Sequence, residues 1–172
     1  CDIYYRQEYA ELCKLKDDIT ECFIYRENGD IFLFPYLKRK VEVLGGDCFD
    51  FESPYGYGGP ISNTDDEEFL KSAVDTFKRL AKKNKIIAGF VRFHPLLNNS
   101  SLVHDYFGVF YSRNTVAMRL DENSELIWKE QTHVKHRNSI RKAEKLGLKF
   151  AMDTKLSHLE DFRRLYDAAM RR

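Results

Sequence analysis

Three segments of the sequence combine residue types and spacings that could bind or transform a ligand. The first is the run 53–60, which reads Ser-Pro-Tyr-Gly-Tyr-Gly-Gly-Pro. Its glycines let a ligand approach the backbone, while Tyr55 and Tyr57 offer stacking faces and hydroxyl donors. We therefore predict a binding cleft walled by these tyrosines and by the backbone of Gly58 and Gly59. The alternative is a tight turn between a strand and the next helix, and the run has no P-loop spacing.

The second segment places a cation and an imidazole at the end of a predicted strand. Strand alternation over 90–94 puts Arg92 and His94 on one face. Such a pair could hold a phosphate or a carboxylate, and His94 could serve as a general base. In the alternative, Arg92 forms a structural ion pair with Asp50 or Glu52, and His94 merely ends the strand.

The third segment is a basic helix face. Arg137 and Arg141 are four residues apart and share that face, and Lys145 extends the row. This pattern is typical of a solvated surface, and the alternative is an anion site for a diphosphate or a membrane headgroup layer. Binding of nucleic acid to this basic face is a less favoured interpretation, because the other long helix begins with four acidic residues. We expect no stable DNA binding. The remaining cations of this segment are Lys129, Lys135, His136 and Lys142.

The sequence gives little support for a catalytic nucleophile, a metal site or a disulfide. The sequence contains neither Gly-x-Ser-x-Gly nor His-Glu-x-x-His, so it has no nucleophile motif of those types. His133 and His136 lie three apart without an obvious third ligand, and we expect no metal. The cysteines are irregularly spaced and are expected to be reduced thiols packed as small hydrophobes. They are Cys1, Cys13, Cys22 and Cys48.

Composition limits the class of protein. A length of 172 residues indicates one domain or slightly more, at about 150 residues per domain. With 43% hydrophobic and 32% charged residues, the chain is neither disordered nor embedded in a membrane. The net charge of +1 gives no overall field that would attract nucleic acid or anionic lipid. Acids and bases occur throughout residues 1–20, so we predict no signal peptide and a cytoplasmic location, with the inner membrane surface as an alternative.

In the first half of the chain, hydrophobic patterning predicts the elements that position these residues. A short helix is expected over 5–15, followed by a hairpin around Asn28-Gly29, which is the favoured pair for a type I′ turn. The extended pattern continues to Leu44. A helix over 65–83 is predicted from an apolar stripe, with Thr64 as its N-cap and a glutamate at the capping-box offset.

In the second half, strands are predicted at 86–93, which should be buried, and at 107–111, 115–120 and 148–152. Asn123 or Ser124 should cap a long helix that runs to about Leu146 and ends at Gly147 in the C′ position, and Ser157 should cap a final helix. These elements predict an α+β fold in which a mixed, mostly antiparallel sheet over 22–120 is flanked by helices.

With these segments identified, the chain resembles the FemAB-like acyltransferases, two-lobed members of the GNAT superfamily. The resemblance rests on the hairpin, on 53–60 followed by a helix, on Arg-Phe-His-Pro-Leu-Leu at 92–97, on Trp128 and on 136–148. The last segment is the most specific, since an Arg-rich helix ending in Ala-Glu-Lys-x-Gly recurs where the first lobe of the family joins the second. The resemblance implies a GNAT-like first lobe at 1–124, a connecting basic helix at 125–147 and the beginning of a second lobe at 148–172.

The resemblance also implies a reaction, the transfer of an acyl or aminoacyl group to an amine of a cell-envelope or polysaccharide precursor. The donor would be acyl-CoA or aminoacyl-tRNA, held mainly by the second lobe, so the 172 residues alone are expected to be inactive. The first lobe would bind an anionic small-molecule, glycan or peptide acceptor and could make peripheral membrane contact. Its acceptor residues would be Tyr55, Tyr57, Gly58 and Gly59, with Arg92, Arg137 and Arg141 for phosphates and His94 as the base.

Two departures from the family pattern favour the broader N-acyltransferase group over its bridge-forming branch. Bridge-forming members tend to have an acid shortly after the Gly-Pro of the loop, whereas Gly59-Pro60 is followed here by Ile-Ser-Asn. Those enzymes also resemble one another in a Trp followed by Lys near the N-terminus, where this chain has Tyr9 and then Lys14 or Lys16. The alternative function is a non-catalytic module that binds an anion or glycan through the same arginines.

Overall fold

The computed structural model describes residues 2–45 and 47–171. Cys1, which belongs to the cysteine prediction above, lies outside the described residues, as do Gly46 and Arg172. The chain divides into two compact units, Cys1–Thr115 and Val116–Arg172. None of the described helices is long and apolar enough to cross a membrane.

The first unit is an α+β structure with an open, mixed, five-stranded sheet flanked by helices, as predicted. Strand order is β1-β2-β3-β5, and β4 also pairs with β2. All pairings are antiparallel except β3 with β5, which is parallel. The strands are β1 Ile19–Glu27, β2 Asp30–Lys40, β3 Phe49–Glu52, β4 Ile61–Ser62 and β5 Ile86–Phe90.

The β1–β2 hairpin is confirmed at its predicted turn. Asn28 has φ 49° and Gly29 has φ 93°, the left-handed pair that a type I′ turn requires. The turn fixes the register, in which Glu27 lies opposite Asp30 and Phe23 lies opposite Phe34. The extended pattern predicted to Leu44 ends earlier, at Lys40, because a short 3-10 turn, Glu42–Leu44, follows.

Two helices of the first unit differ in their starting residues from the prediction. The helix expected over 5–15 is a 3-10 turn, Ile3–Tyr5, and a separate helix α1, Gln7–Cys13, because Arg6 between them has extended φ and ψ of −89° and 136°. Helix α2 spans Glu67–Lys83, and Asp66 is its N-cap, with the carboxylate accepting from the Phe69 amide at 2.8 Å. The predicted cap at Thr64 is wrong, since its hydroxyl accepts from the Asp66 amide instead.

Packing of α2 on the sheet forms the core. The predicted stripe is confirmed over its first three turns, where Phe69, Leu70, Ala73, Val74 and Phe77 are buried. The Phe77 ring is central to this core. Its centroid lies 5.3 Å from that of Phe23, 5.0 Å from Phe34, 5.9 Å from Tyr36 and 5.6 Å from Phe51.

Replacement of the α2 cap tests this helix start. We expect Asp66→Ala to lower the free energy of unfolding by about 1 kcal/mol, because an orphan amide of the first turn loses its acceptor. The neighbouring Asp65 is exposed and serves as the matched control, so Asp65→Ala should change stability by less than half as much. Urea unfolding followed by circular dichroism measures both, and equal effects would contradict the cap.

The strand predicted at 86–93 is shorter and more exposed than expected. It ends at Phe90 and lies at the edge of the sheet, where Ile87 is 54% and Phe90 is 62% exposed. The strands predicted at 107–111 and 115–120 are wrong, since 108–119 has no regular secondary structure. The preference of a sequence for strand depends on pairing and on burial of one face. Residues such as Val116, which is 95% exposed, have neither.

In the second unit, the long helix predicted to run to Leu146 is interrupted. A short α3, Ser124–Leu126, continues as a π-turn, Ile127–Gln131, and α4 begins afresh at Val134–Lys145. The break lies at Thr132, which is extended with φ −97° and ψ 114°. The predicted ends are confirmed, because Asn123 caps α3 through its side chain and Gly147 has φ 75°.

The final helix predicted for the second unit is confirmed, whereas the strand at 148–152 and the cap at Ser157 are wrong. Residues 148–152 are irregular, and among the described residues of this unit no side chain is buried, so a strand there has nothing to pack on. Helix α5, Leu159–Met170, begins after His158. Ser157 does not cap it, because its hydroxyl donates to Asp153. The backbone amide of His158 donates to the same carboxylate and lowers the pKa of Asp153.

Candidate functional site

A cleft of about 240 Å³ lies at the carboxyl ends of the two parallel strands. Glu52, the last residue of β3, is in register with Phe90, the last residue of β5. In open sheets with parallel strands, ligands bind outside these ends of the strands. The lining combines apolar walls with two charged groups and consists of Cys13, Leu15, Leu37, Glu52, Ser53, Pro54, Tyr55, Phe90 and Arg92.

Arg92 is the cation of this cleft. Its backbone amide donates to the Ser53 hydroxyl at 3.1 Å, and its carbonyl accepts from the Gly58 amide at 2.8 Å. The side chain is exposed, and Nη1 donates to the Gly56 carbonyl at 3.2 Å. Within residues 2–45 and 47–171, the guanidinium takes part in no ion pair. The backbone of Arg92 is therefore held by two hydrogen bonds, while its side chain is exposed and lines the cleft.

The structural ion pair considered for Arg92 is not formed, because both carboxylates bind Arg39. The Arg39 guanidinium donates to Asp50 from Nε at 2.9 Å and from Nη2 at 3.2 Å. Its Nη1 lies 3.1 Å from Oε2 of Glu52. The hydrogen bond to Asp50 is the largest contribution that raises the pKa of Arg39. This network satisfies Asp50 on both oxygens and Glu52 on one.

In the loop 53–60, the two glycines predicted to form a wall of the cleft, Gly58 and Gly59, do not line it. The Gly58 amide is bonded to Arg92, and the Gly58 carbonyl accepts from Asn99 at 2.8 Å and from Tyr5 at 3.3 Å. Gly59 has φ 93°, and a Cβ there would lie 2.9 Å from the Phe93 ring. Both glycines are buried. The backbone of Gly58 is thus bonded within the protein, and neither glycine is among the cleft-lining residues.

The two loop tyrosines lie in different surroundings. Tyr55 is 79% exposed and lines the cleft, and its carbonyl accepts from the Tyr9 hydroxyl at 2.9 Å. The Tyr57 ring instead packs edge-on against Tyr4, with centroids 5.6 Å apart, and lies 5.8 Å from His94. Tyr55 is therefore a wall of the cleft, and Tyr57 belongs to an aromatic cluster with the N-terminal turn.

His94 is buried, and both of its ring nitrogens are bonded. The Leu96 amide donates to Nδ1 at 3.2 Å, which places the proton on Nε2. Nε2 then donates to the Asp2 carboxylate at 3.1 Å. A general base needs a free lone pair within reach of the substrate. In this arrangement His94 has none, and it is not among the cleft-lining residues.

Asn99 was not singled out from the sequence, yet it joins the segments around the cleft. It is 2% exposed, and its side-chain oxygen accepts from the His94 amide at 3.0 Å. Its amide nitrogen lies 3.0 Å from the Tyr5 hydroxyl, 2.8 Å from the Gly58 carbonyl and 3.0 Å from the Pro60 carbonyl. Burial, with Asp2 adding to it, raises the pKa of Tyr5 to about 12. Local sequence does not distinguish Asn99 from the exposed Asn98, so only the fold identifies it.

In the second unit, Arg137 and Arg141 surround Trp128. Nη1 of Arg137 donates to the Trp128 carbonyl at 2.9 Å and to the Lys129 carbonyl at 2.6 Å, next to the helix break. The Arg141 guanidinium lies 5.6 Å from the Trp128 ring centroid, a cation–π contact. Arg137 thus contributes to the local structure, whereas Arg141 is exposed.

Among the described residues, no group of three or more histidine, cysteine or acidic side chains is arranged to hold a metal ion. Comparisons with protein-family models, with curated proteins and with solved structures found no match to this chain. Assignment of a function therefore depends on the chemistry of the cleft and on the resemblance of the sequence motifs.

Proposed function

We propose that the first unit is the acceptor-binding lobe of a FemAB-like N-acyltransferase of the GNAT superfamily. The reaction would transfer an acyl or aminoacyl group from acyl-CoA or aminoacyl-tRNA to an amine of a cell-envelope or polysaccharide precursor. The observation that carries the proposal is the exposed guanidinium of Arg92, which lines a cleft at the carboxyl ends of two parallel strands.

The cleft residues have complementary roles in this proposal. Arg92 binds an acceptor phosphate or carboxylate, and such charge-assisted hydrogen bonds contribute about 1.5–3 kcal/mol each. The bond from Nη1 to the Gly56 carbonyl orients the guanidinium before the ligand arrives. Tyr55 offers an exposed ring as a wall for a sugar or peptide portion.

The chemistry requires an amine nitrogen to lose a proton and attack a thioester or ester carbonyl. The resulting oxyanion collapses and expels the thiol of CoA or the ribose hydroxyl of tRNA. In our proposal the first unit holds the acceptor for this attack, and the donor binds to the lobe that begins near residue 148. His94 does not act as the base in this proposal, because both of its ring nitrogens are hydrogen-bonded.

Replacement of Arg92 tests the acceptor site. We expect Arg92→Ala to weaken binding of glucosamine 6-phosphate by about tenfold or more, the loss of one charge-assisted contact. The melting temperature should stay within a degree or two, since Arg92 is exposed and its side chain makes one hydrogen bond to the described part of the chain. NMR titration measures the affinity, and Arg113→Ala, at another exposed arginine of the same unit, is the control. Unchanged affinity with a lowered melting temperature would refute the site.

The second candidate function, a non-catalytic anion- or glycan-binding module, is favoured by the occupied ring of His94. The two functions differ in turnover. Thiol release from acetyl-CoA, or deacylation of charged tRNA, is measured with the full-length protein and glucosamine 6-phosphate. Turnover that falls in Arg92→Ala supports the transferase. Acceptor binding without turnover from either donor supports the module.

A further inference from the structure

The same cleft contains a carboxylate whose role the proposed function does not assign. Glu52 ends β3 and lines the cleft together with Arg92. One of its oxygens, Oε2, lies 3.1 Å from Arg39, and its side chain is 35% exposed. Within the described part of the chain, no donor is bonded to the other oxygen, Oε1. The cleft therefore offers a carboxylate oxygen as well as a guanidinium.

The position of Glu52 is fixed from two sides. Backbone pairing with Leu37 of β2 and with Phe90 of β5 holds its Cα between two strands. Arg39 holds one carboxylate oxygen and is itself fixed by the two hydrogen bonds that it donates to Asp50. A group held this way is ordered before a ligand binds, so binding costs little additional side-chain entropy.

We propose that Glu52 recognises an ammonium group, so that the ligand of this cleft is a small molecule with a primary amine and a phosphate or carboxylate. The ammonium donates to Glu52, the anionic group accepts from Arg92, and the apolar walls of Leu15 and Phe90 enclose the carbon skeleton. This inference rests on the proposed function and specifies the acceptor class. It assigns to Glu52 the binding of the amine before transfer.

The size of the cleft agrees with a small ligand. Its volume of about 240 Å³ is below the range of about 300–1,000 Å³ typical of drug-sized ligand pockets. A monosaccharide phosphate or an amino acid suits this space better than a folded macromolecule does. Opposite charges on the two cleft residues also disfavour a ligand that carries only phosphates, because Glu52 would repel it.

The test separates the two charges with matched probes. We titrate the chain by NMR with glucosamine 6-phosphate, with glucose 6-phosphate, which lacks the amine, and with 4-aminobutyrate, which replaces phosphate by carboxylate. We expect the chain to prefer glucosamine 6-phosphate over glucose 6-phosphate by about tenfold, the effect of one charged hydrogen bond. Binding of 4-aminobutyrate would show that a carboxylate can replace the phosphate.

Variants assign the preference to Glu52. Glu52→Gln should reduce the preference for the amine to near unity while it leaves glucose 6-phosphate binding equal or tighter. Glu68→Gln also removes an exposed carboxylate of the first unit but changes no cleft-lining residue, so it should retain the preference. Melting temperatures of both variants verify the fold.

The failures of the two proposals are distinguishable. Equal affinity of the wild-type chain for the two sugar phosphates, with loss of both in Arg92→Ala, overturns the role of Glu52 and leaves the anion site intact. A preference that persists in Glu52→Gln likewise overturns it. Failure of all three probes to bind overturns the anion site and the amine site together.

Discussion

Phe77→Ala should lower the free energy of unfolding by about 3–5 kcal/mol, the range typical of a large aromatic removed from a core. Phe77 is 3% exposed, and its ring contacts aromatic residues from three strands of the sheet. Alanine would leave a cavity between α2 and the sheet that the surrounding rings cannot fill without leaving their rotamers. The expected loss is a large part of the total stability of a domain of this size.

Urea unfolding followed by far-ultraviolet circular dichroism measures this loss of stability. Leu80→Ala is the matched control, because Leu80 lies on the same stripe one turn later but is 37% exposed. We expect it to cost less than half as much as Phe77→Ala. Equal losses at the two positions would show that α2 does not pack on the sheet through Phe77.

Asn99→Leu should cost about 3 kcal/mol, since buried polar groups left without partners cost about 1–3 kcal/mol each. The substitution removes the acceptor of the His94 amide and a donor to the carbonyls of Gly58 and Pro60. The Gly58 carbonyl retains the Tyr5 hydroxyl, so this carbonyl contributes less to the loss. The larger volume of leucine adds strain at a site that is 2% exposed.

The second effect of Asn99→Leu should be on the cleft. Asn99 bonds the loop that follows Tyr55, so its loss should release this loop and weaken binding of glucosamine 6-phosphate. Thermal unfolding and NMR titration measure the two effects. Asn98→Gly is the control, because Asn98 is exposed and its φ of 49° suits glycine. If Asn99→Leu were as stable as this control, the buried network would not hold the loop.

The N-terminal turn, Ile3–Tyr5, is part of the same network, because its residues contact both His94 and the loop 53–60. Asp2 accepts from the Tyr4 amide through one oxygen and from His94 through the other. The Tyr4 ring packs edge-on against Tyr9 and Tyr57, with centroids 5.4 and 5.6 Å away. The turn therefore anchors the loop 53–60 to the segment that carries His94.

The sequence by itself determined the elements that depend on interactions between residues close together in the chain. A type I′ turn needs two residues that tolerate positive φ, and Asn28-Gly29 supplies them between two β-rich runs. The period of α2 identified its buried face through Phe77, and Gly147 marked a helix end. These features depend on contacts within a few residues or on a repeat of the chain itself, so they could be predicted without the fold.

Only the tertiary structure decided the roles of residues whose bonding partners are distant along the chain. His94 meets Asp2 across 92 positions and so loses the free lone pair of a base. Asp50 and Glu52 were equally plausible partners for Arg92, and the β2–β3 register gives them to Arg39. The strand pattern at 107–120 likewise forms no strand, because strand formation requires a neighbouring strand and a face to bury. Pairing across the fold is a property of the whole chain, and no local pattern encodes it.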